Sequence, residues 1–147
     1  MNQKIKDKIN EIDKYLNELE QIMPTDLQEY LNDLRGKAAC ERYFEKIIES
    51  VIDLSFLIIK DKNLIMPESD DQLFSILEKE NIITSELYKR LKNAKGIRNI
   101  IAHEYGKVDD VIVFHAVTEE LIIDVRNFLE KIEEVSDKIK NKKPSKN

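Results

Sequence analysis

Apolar residues recur along most of the chain at spacings of three and four, the period that gives an α-helix one apolar face. The first such stripe consists of Ile5, Ile9, Ile12, Leu16 and Leu19. It predicts an opening helix of about five turns. Pro24 and the Thr25-Asp26 pair that follows it predict a stop and a new N-cap. The chain is therefore expected to begin with a helix that packs through one face.

A second helical pattern runs through the middle of the chain, from Leu27 to Ile59. Gly36 is expected to bend this helix without ending it. Beyond Gly36 the apolar face widens and includes Cys40, Phe44, Ile47, Ile48, Val51, Ile52 and Ser55. Since a helix that is apolar on several sides is buried on several sides, this stretch is predicted to be the most buried helix. Residues 60–67 are interpreted as a loop.

Two signals for helix N-termini follow this loop. Ser69 with Gln72 has the form of a capping box and predicts a short helix. Thr84 predicts the N-cap of the next helix, which would end near Gly106. That helix would bury Leu87, Leu91, Ala94 and Ile97. Its other face would expose most of a basic cluster.

The last helix is predicted to be the longest. Its stripe consists of Val111, Phe114, Val117 or Thr118, Leu121, Val125, Phe128, Ile132, Val135 and Ile139. Taken together, the elements predict an all-α fold, an antiparallel bundle of about five helices. Residues 1–139 would form the helical domain, and residues 140–147 a basic, flexible tail.

Length and composition narrow the class of protein. A chain of 147 residues fits one domain, and six Gly and Pro residues in total are too few for the turns of a β-sandwich or barrel. The longest strictly apolar run, residues 56–59, is too short to cross a bilayer. The first residues lack the apolar core of a signal peptide. The sequence thus predicts a soluble, cytoplasmic protein with no membrane partner.

Charge is distributed unevenly along the chain. The net charge of −5 argues mildly against a nucleic-acid partner, because phosphate binding needs a basic surface. However, residues 87–108 carry a net charge of +5, and the rest of the chain therefore carries −10. A second basic stretch, residues 138–147, holds five lysines and is interpreted as a solubilising terminus. Only the first stretch lies next to residues that could perform chemistry.

Several candidate sites are set aside. His115 is interpreted as a surface or boundary residue, and Cys40, the only cysteine, as a core residue. The Asp70-Asp71 pair is attributed to the preference for acids at helix N-termini. No metal-binding motif, phosphate loop or nucleophile elbow is present. The sequence therefore predicts neither a metal nor a cofactor.

His103 lies in a different setting, with Arg98 five residues before it, at the end of the basic helix. In a continuous helix, residues five apart diverge by about 140°, so these two side chains would not share a face. They would converge only if the helix kinked before His103. Gly96 and Gly106, on either side, would allow such a distortion without requiring it.

The residue types around His103 suit the cleavage of RNA without a metal. A histidine can take the proton of the 2′-hydroxyl group, and a guanidinium such as that of Arg98 can stabilise the charge that develops on the phosphate. Asn99 could orient the phosphate or cap the helix end, and the hydroxyl of Tyr105 could donate to the phosphate or be modified. The expected product is a 2′,3′-cyclic phosphate. Spacing alone leaves a simpler alternative open, in which His103 caps the helix and Arg98 makes a surface ion pair.

The order of these residues resembles a known family. The segment Arg98-Asn99-x3-His103-x-Tyr105 is similar to the R-x4-H-x-Y signature of HepT-like toxins in the HEPN superfamily. Residues 40–54 resemble the central helix of that family, and residues 69–84 the segment before its motif helix. The likeness covers nearly the whole chain apart from the lysine tail.

This resemblance implies an HEPN-like, homodimeric ribonuclease toxin, in which the two motifs face one cleft. It implies Arg98 and His103 as catalytic residues. Asn99, Lys95 and Lys92, on the same basic helix, are predicted to bind the phosphate of the RNA or to support it. The implied antitoxin is an MntA-type nucleotidyltransferase that transfers AMP to Tyr105. The RNA could be tRNA or mRNA.

Two other functions stay open on the sequence. In the first, the chain is an HEPN binding module without nuclease activity that partners a minimal nucleotidyltransferase. In the second, it is a structural helical dimer in which Arg98 and His103 only cap the helix. RNA degradation that depends on His103 would favour the nuclease over both.

Overall fold

The computed structural model describes residues 1–104 and 106–142, and their side chains as far as residue 136. The helices are α1 (Gln3–Ile22), α2 (Leu27–Asn32), α3 (Leu34–Asp61), α4 (Leu73–Lys79), α5 (Ser85–His103), α6 (Asp110–His115) and α7 (Ile122–Lys142). A 3-10 turn, Asp70–Gln72, leads into α4, and a π-helical segment, Ala116–Leu121, joins α6 to α7 without a break. No strand is present among the described residues. The predicted all-α fold is confirmed.

Helices α1 and α3 form the antiparallel pair that organises the bundle. Lys8 lies 3.6 Å from Asp53, and the hydroxyl of Tyr43 donates to Glu18 at 3.2 Å, so positions near the start of one helix face the end of the other. All five residues of the predicted α1 stripe are buried. Helix α3 holds a larger buried set than any other described helix, as the widened apolar face predicted. The core therefore lies where the periodicity indicated.

The break between α2 and α3 differs from the prediction. The helix does not merely bend at Gly36, because extended backbone at Asp33 ends α2 and starts α3. The Asp33 carboxylate accepts a hydrogen bond from the backbone N–H of Gly36 at 3.0 Å. A Cβ atom on Gly36 would lie 2.5 Å from that carboxylate. Glycine at this position therefore leaves room for the Asp33 cap, which the helical pattern did not predict.

The structure confirms the predicted helix cap at Thr84 and contradicts the one at Ser69. Thr84 caps α5 and accepts from the N–H of Leu87 at 3.1 Å, as expected. The capping box at Ser69 is wrong, because its side chain makes no cap hydrogen bond and a 3-10 turn precedes α4. Helix α7 continues through Lys142, and the remaining tail residues lie outside the described part. No described helix is both long and apolar enough to span a membrane.

The π-helical segment explains the ambiguous position in the last stripe. Val113, Val117, Leu121 and Val125 are all buried. Three successive spacings of four residues would rotate an α-helical stripe by about 120°, and the π-helical segment, which has more residues per turn, reduces that drift. Val117 is buried, whereas the hydroxyl of Thr118 donates to the carbonyl oxygen of Phe114 at 2.7 Å. The segment keeps one long helix in contact with the core.

Cys40 is completely buried, which confirms its predicted place in the core. Burial, followed by the charges of Asp33 and Glu41, raises the pKa of its thiol to about 11. Relative to an ordinary thiol, that leaves about a hundredfold less thiolate at pH 8. We expect Cys40 to react with a disulfide reagent only after denaturation, as absorbance of the released chromophore would measure. Rapid labelling of the native protein would contradict this packing.

A candidate phosphate-binding site at the end of α5

Helix α5 carries all the predicted site residues except Tyr105, and it continues without interruption to His103. The N–H of Glu104 still bonds the carbonyl oxygen of Ile100 at 2.9 Å, the regular helical pairing. The chain turns only afterwards, at Gly106, whose φ of 85° suits a residue without a side chain. The kink that the flanking glycines would have allowed before His103 is therefore absent.

A continuous helix separates Arg98 from His103. Five residues correspond to a rotation of about 140° and a rise of about 7.5 Å, so the two side chains leave α5 in different directions. His103 is exposed to solvent, whereas Arg98 is half-buried. One chain thus presents a histidine and a guanidinium close to each other along the helix but on different faces.

The guanidinium of Arg98 is unusual in its hydrogen bonding. Its Nε atom is buried and has no hydrogen-bond partner among the described residues. Most buried polar groups in proteins are paired. Arg98 also makes no ion pair within the part of the chain that the structure describes. Its remaining donors suit a planar, two-pronged contact with a phosphate group.

The lysines of α5 differ in their availability. Lys92 is exposed, and its Nζ lies 5.9 Å from the centre of the Tyr88 ring. Lys95 is only 7% exposed, and its Nζ lies 2.6 Å from Asp71 Oδ1 and 3.0 Å from Asp70 Oδ1. These two carboxylates occupy its ammonium group. Lys95 is therefore not positioned to bind RNA as the sequence analysis expected.

The ion pairs of Lys95 with Asp70 and Asp71 also shift pKa values. Burial lowers the pKa of Lys95, but the hydrogen bonds from its ammonium to Asp71 and Asp70 outweigh burial, and the net shift is upward. In return, the same hydrogen bond lowers the pKa of Asp71. Lys95 and Asp71 are therefore both charged at neutral pH. Asp70 and Asp71 thus pair with Lys95, whereas their sequence position predicted only the preference for acids at a helix N-terminus. The position of Lys95, four residues after Leu91 on the face predicted to be buried, signalled its burial but not its partners.

A groove of about 940 Å³ runs between α5 and the start of α6. Its apolar lining includes Ile97, Ile100, Val111 and Ile112. Three of these are considerably exposed, at 37% for Ile100, 43% for Val111 and 53% for Ile112. On α5, Lys92 and His103 lie about 20° apart around the helix axis, since eleven residues make just over three complete turns. The groove therefore borders the face that carries His103.

The loop that follows His103 is tied to the start of α3. Lys37 Nζ lies 3.0 Å from Asp110 Oδ2, and Asp109 caps α6 by accepting from the N–H of Val111 at 3.0 Å. Burial raises the pKa of Glu41, which lines the same 520 Å³ cavity as Lys37 and Asp110. These contacts fix the end of the loop relative to α3.

The remaining predicted positions are those of His115, Asn99 and Tyr105. His115 is exposed and its Nδ1 lies 3.2 Å from Glu119 Oε1, which confirms its surface location. Asn99 is half-buried, next to Arg98. Within residues 1–104 and 106–136, no three His, Cys, Asp or Glu side chains gather as a metal site. Tyr105, the predicted modification site, lies outside the described residues.

Known proteins are similar to this chain over most of its length. The family model described as "Ribonuclease HepT-like" matches residues 12–132. A tRNA nuclease HepT from Aphanizomenon flos-aquae is 27% identical over 90% of this chain and 95% of its own length. An mRNA nuclease HepT from Shewanella oneidensis is 29% identical over 82% of this chain and 90% of its own length.

A solved structure agrees with these relatives. The tri-AMPylated HEPN toxin of Shewanella oneidensis, in complex with its MNT antitoxin, superimposes with a TM-score of 0.83. The two chains are 28% identical, and the match covers 90% of this chain and 98% of that toxin. The resemblance inferred from the motif is thereby confirmed, and this chain belongs to the ribonuclease HepT-like family of HEPN proteins.

Proposed function

We propose that this protein is a metal-independent endoribonuclease toxin of a type VII-like toxin–antitoxin system, acting on tRNA or mRNA in the cytoplasm. The observation that carries the proposal is the state of Arg98, five residues before exposed His103. Its guanidinium has a buried Nε without a partner and makes no ion pair with any described residue. A structural arginine would normally be paired. Membership of a ribonuclease family supports the same reading.

In the proposed reaction, His103 takes the proton from a ribose 2′-hydroxyl group. The 2′ oxygen then bonds to phosphorus, the bond from phosphorus to the 5′ oxygen breaks, and that oxygen takes up a proton as it leaves. Arg98 donates two N–H groups to the phosphate oxygens, where negative charge increases in the transition state. Asn99 orients the phosphate, and exposed Lys92 contacts the neighbouring strand. The products are a 2′,3′-cyclic phosphate and a free 5′-hydroxyl.

A second copy of the chain completes the proposed site. Because Arg98 and His103 leave α5 in different directions, a single chain does not enclose one phosphate between them. Dimerisation through the groove beside His103 would cover the exposed Ile100, Val111 and Ile112. It would also bring two basic segments of charge +5 to one cleft.

The Ile112→Asp variant is expected to be monomeric and to cleave RNA poorly, since a buried carboxylate in an apolar interface is costly. Sedimentation velocity at micromolar concentration would measure the oligomeric state. Ile65→Asp is the matched control, because Ile65 is 89% exposed in the loop between α3 and α4, away from this groove. A dimer that forms equally well with Ile112→Asp would show that this face is not the interface.

The proposed antitoxin is an MntA-type nucleotidyltransferase. The related toxin of Shewanella oneidensis is described as tri-AMPylated and in complex with an MNT antitoxin. We propose Tyr105 as the corresponding acceptor here, because it is the tyrosine two residues after His103. Adding AMP there introduces bulk and a negative charge beside the phosphate-binding residues.

A non-catalytic binding module that partners a nucleotidyltransferase is the alternative. Purified protein incubated with tRNA and total RNA separates the two functions. Degradation that the His103→Ala variant fails to reproduce supports the nuclease. Tight binding of the antitoxin without any degradation supports the module.

A further inference from the structure

The groove along α5 has a basic and aromatic end, away from the residues that perform the proposed reaction. Tyr88, Lys89, Lys92 and Asn93 line this end of the groove. Ile100, at the other end, follows Tyr88 by twelve residues, which corresponds to about 18 Å along the helix. A dimer contact centred on Ile100 therefore leaves the Tyr88 end of the groove accessible to another ligand.

Charge at this end of the groove favours a polyanion as that ligand. Lys89 and Lys92 are both exposed, and Glu120 is the one carboxylate among the described residues that line the groove. Lysine is depleted in the buried centres of protein–protein interfaces, whereas surfaces that bind nucleic-acid phosphates are rich in it. A strand of RNA therefore suits this end better than a second copy of the chain.

The ring of Tyr88 offers a surface for a base. Tyr88 is half-buried and packs against the hydrophobic core on one side. Lys92 Nζ lies 5.9 Å from the centre of its ring, close to the outer limit of a cation–π contact. An aromatic ring beside a cation is the combination on which proteins stack the bases of single-stranded nucleic acids.

Tyr88 shares one face of α5 with His103. Tyr88, Lys92, Gly96 and His103 lie within about 80° of one another around the helix axis, and about 22 Å separates the first from the last. Glycine is unfavourable inside a helix relative to alanine. Nevertheless, a Cβ atom on Gly96 would meet no packing neighbour within 4 Å among the described residues. Packing within the chain therefore does not require this glycine, whereas the close approach of a ligand backbone would.

We propose that a single strand of RNA follows this face of α5, with its backbone close to Gly96 and one base stacked on Tyr88. The stacked base would lie several nucleotides from the phosphate that is cleaved beside His103, and Lys92 would contact the phosphate next to that base. This inference rests on the proposed function, because it describes how the same RNA is held. It assigns Tyr88 to substrate binding and not to catalysis.

The test measures the binding of an RNA that cannot be cleaved. A fluorescein-labelled single strand of about ten nucleotides with 2′-O-methyl groups lacks the nucleophile of the proposed reaction, and fluorescence anisotropy at fixed salt gives its Kd. We expect Tyr88→Leu to raise Kd by about 10-fold, because the stacking of one base is lost. Tyr88→Phe keeps the ring and should stay within about threefold of wild type.

Tyr15→Leu is the matched control. Tyr15 is also half-buried, but it lies on α1, and Lys46 Nζ lies 4.3 Å from the centre of its ring. Its substitution should leave Kd unchanged. Equal Kd values for Tyr88→Leu and wild type would overturn the proposal. Loss of the dimer by Tyr88→Leu in sedimentation velocity would also overturn it, because Tyr88 would then be a contact between subunits.

Gly96→Gln tests the path of the strand without disturbing the packing of Tyr88. Glutamine favours the helix more than glycine does and the space above Gly96 is open, so this variant should raise Tm by about 2–4 °C. The same side chain should raise Kd by about 10-fold, because it fills space that the RNA backbone needs. Wild-type affinity, or loss of the dimer, would overturn the path over Gly96.

These measurements separate the subsite from the nuclease. If wild type binds the methylated RNA but cleaves no unmodified RNA, the proposed function fails, whereas the Tyr88 variants still decide the subsite. If wild type cleaves RNA but does not bind the methylated strand, the subsite is overturned and the nuclease stands. In a protein that cleaves, Tyr88→Leu should raise KM by about 10-fold and leave kcat within about threefold, as expected for a binding residue remote from the reacting atoms.

Discussion

Arg98→Ala and His103→Ala should each reduce RNA cleavage by at least about a hundredfold. The first removes the donors that stabilise the developing charge on the phosphate, and the second removes the base. Neither side chain takes part in an ion pair or a hydrogen bond with any residue that the structure describes. Helical content by circular dichroism is therefore expected to stay at the wild-type value. Initial rates on tRNA and total RNA measure the effect.

Arg35→Ala is the matched control for the arginine, since Arg35 is exposed at the start of α3, outside the proposed site. It should cleave at the wild-type rate. A purely structural role for Arg98 and His103 predicts instead that their alanine variants lose thermal stability and have no nuclease activity to lose. Wild-type cleavage by either variant would show that the catalytic assignment is wrong.

The second large effect is expected from modification of Tyr105. When the tyrosine oxygen attacks the α-phosphorus of ATP and pyrophosphate leaves, the chain gains a phosphodiester charge two residues from His103. That charge would repel the RNA backbone and compete for Arg98. Protein treated with an MntA-type enzyme and ATP should cleave RNA at least about a hundredfold more slowly. Intact mass would establish that one AMP had been added.

Tyr105→Phe separates this effect from simple binding of the antitoxin. The variant lacks the acceptor oxygen, so it should cleave RNA before and after treatment with the nucleotidyltransferase and ATP. If treatment silenced Tyr105→Phe as strongly as wild type, another residue or the antitoxin itself would be the inhibitor. If wild type gained AMP elsewhere and lost activity, Tyr105 would not be the acceptor.

Much of the fold was predictable because helical periodicity is a local property. The α1 stripe, the buried face of α3 and the N-cap of α5 all follow from residues close in sequence. The break at Asp33 was not predicted, because its cap competes with an otherwise continuous apolar pattern. The ambiguity at Val117 and Thr118 proved to mark the π-helical segment, which depends on packing against the core.

The candidate site was predictable in its residue types but not in its geometry. The motif named Arg98 and His103, but spacing alone left open whether a kink would bring them together. Only the structure established that α5 is continuous there. The partners of Lys95 come from residues more than twenty positions away, so a list of basic residues on α5 did not distinguish it from exposed Lys92. Such long-range pairing has no local signature.

The most direct test of the central claim is cleavage of tRNA and total RNA in EDTA by wild type and His103→Ala. We expect wild type alone to cleave and to leave 2′,3′-cyclic phosphate ends, since the proposed reaction needs no metal and uses the 2′-hydroxyl as nucleophile. Intact mass must first show that Tyr105 carries no AMP. Absence of cleavage by such unmodified protein would contradict the nuclease and favour the binding module.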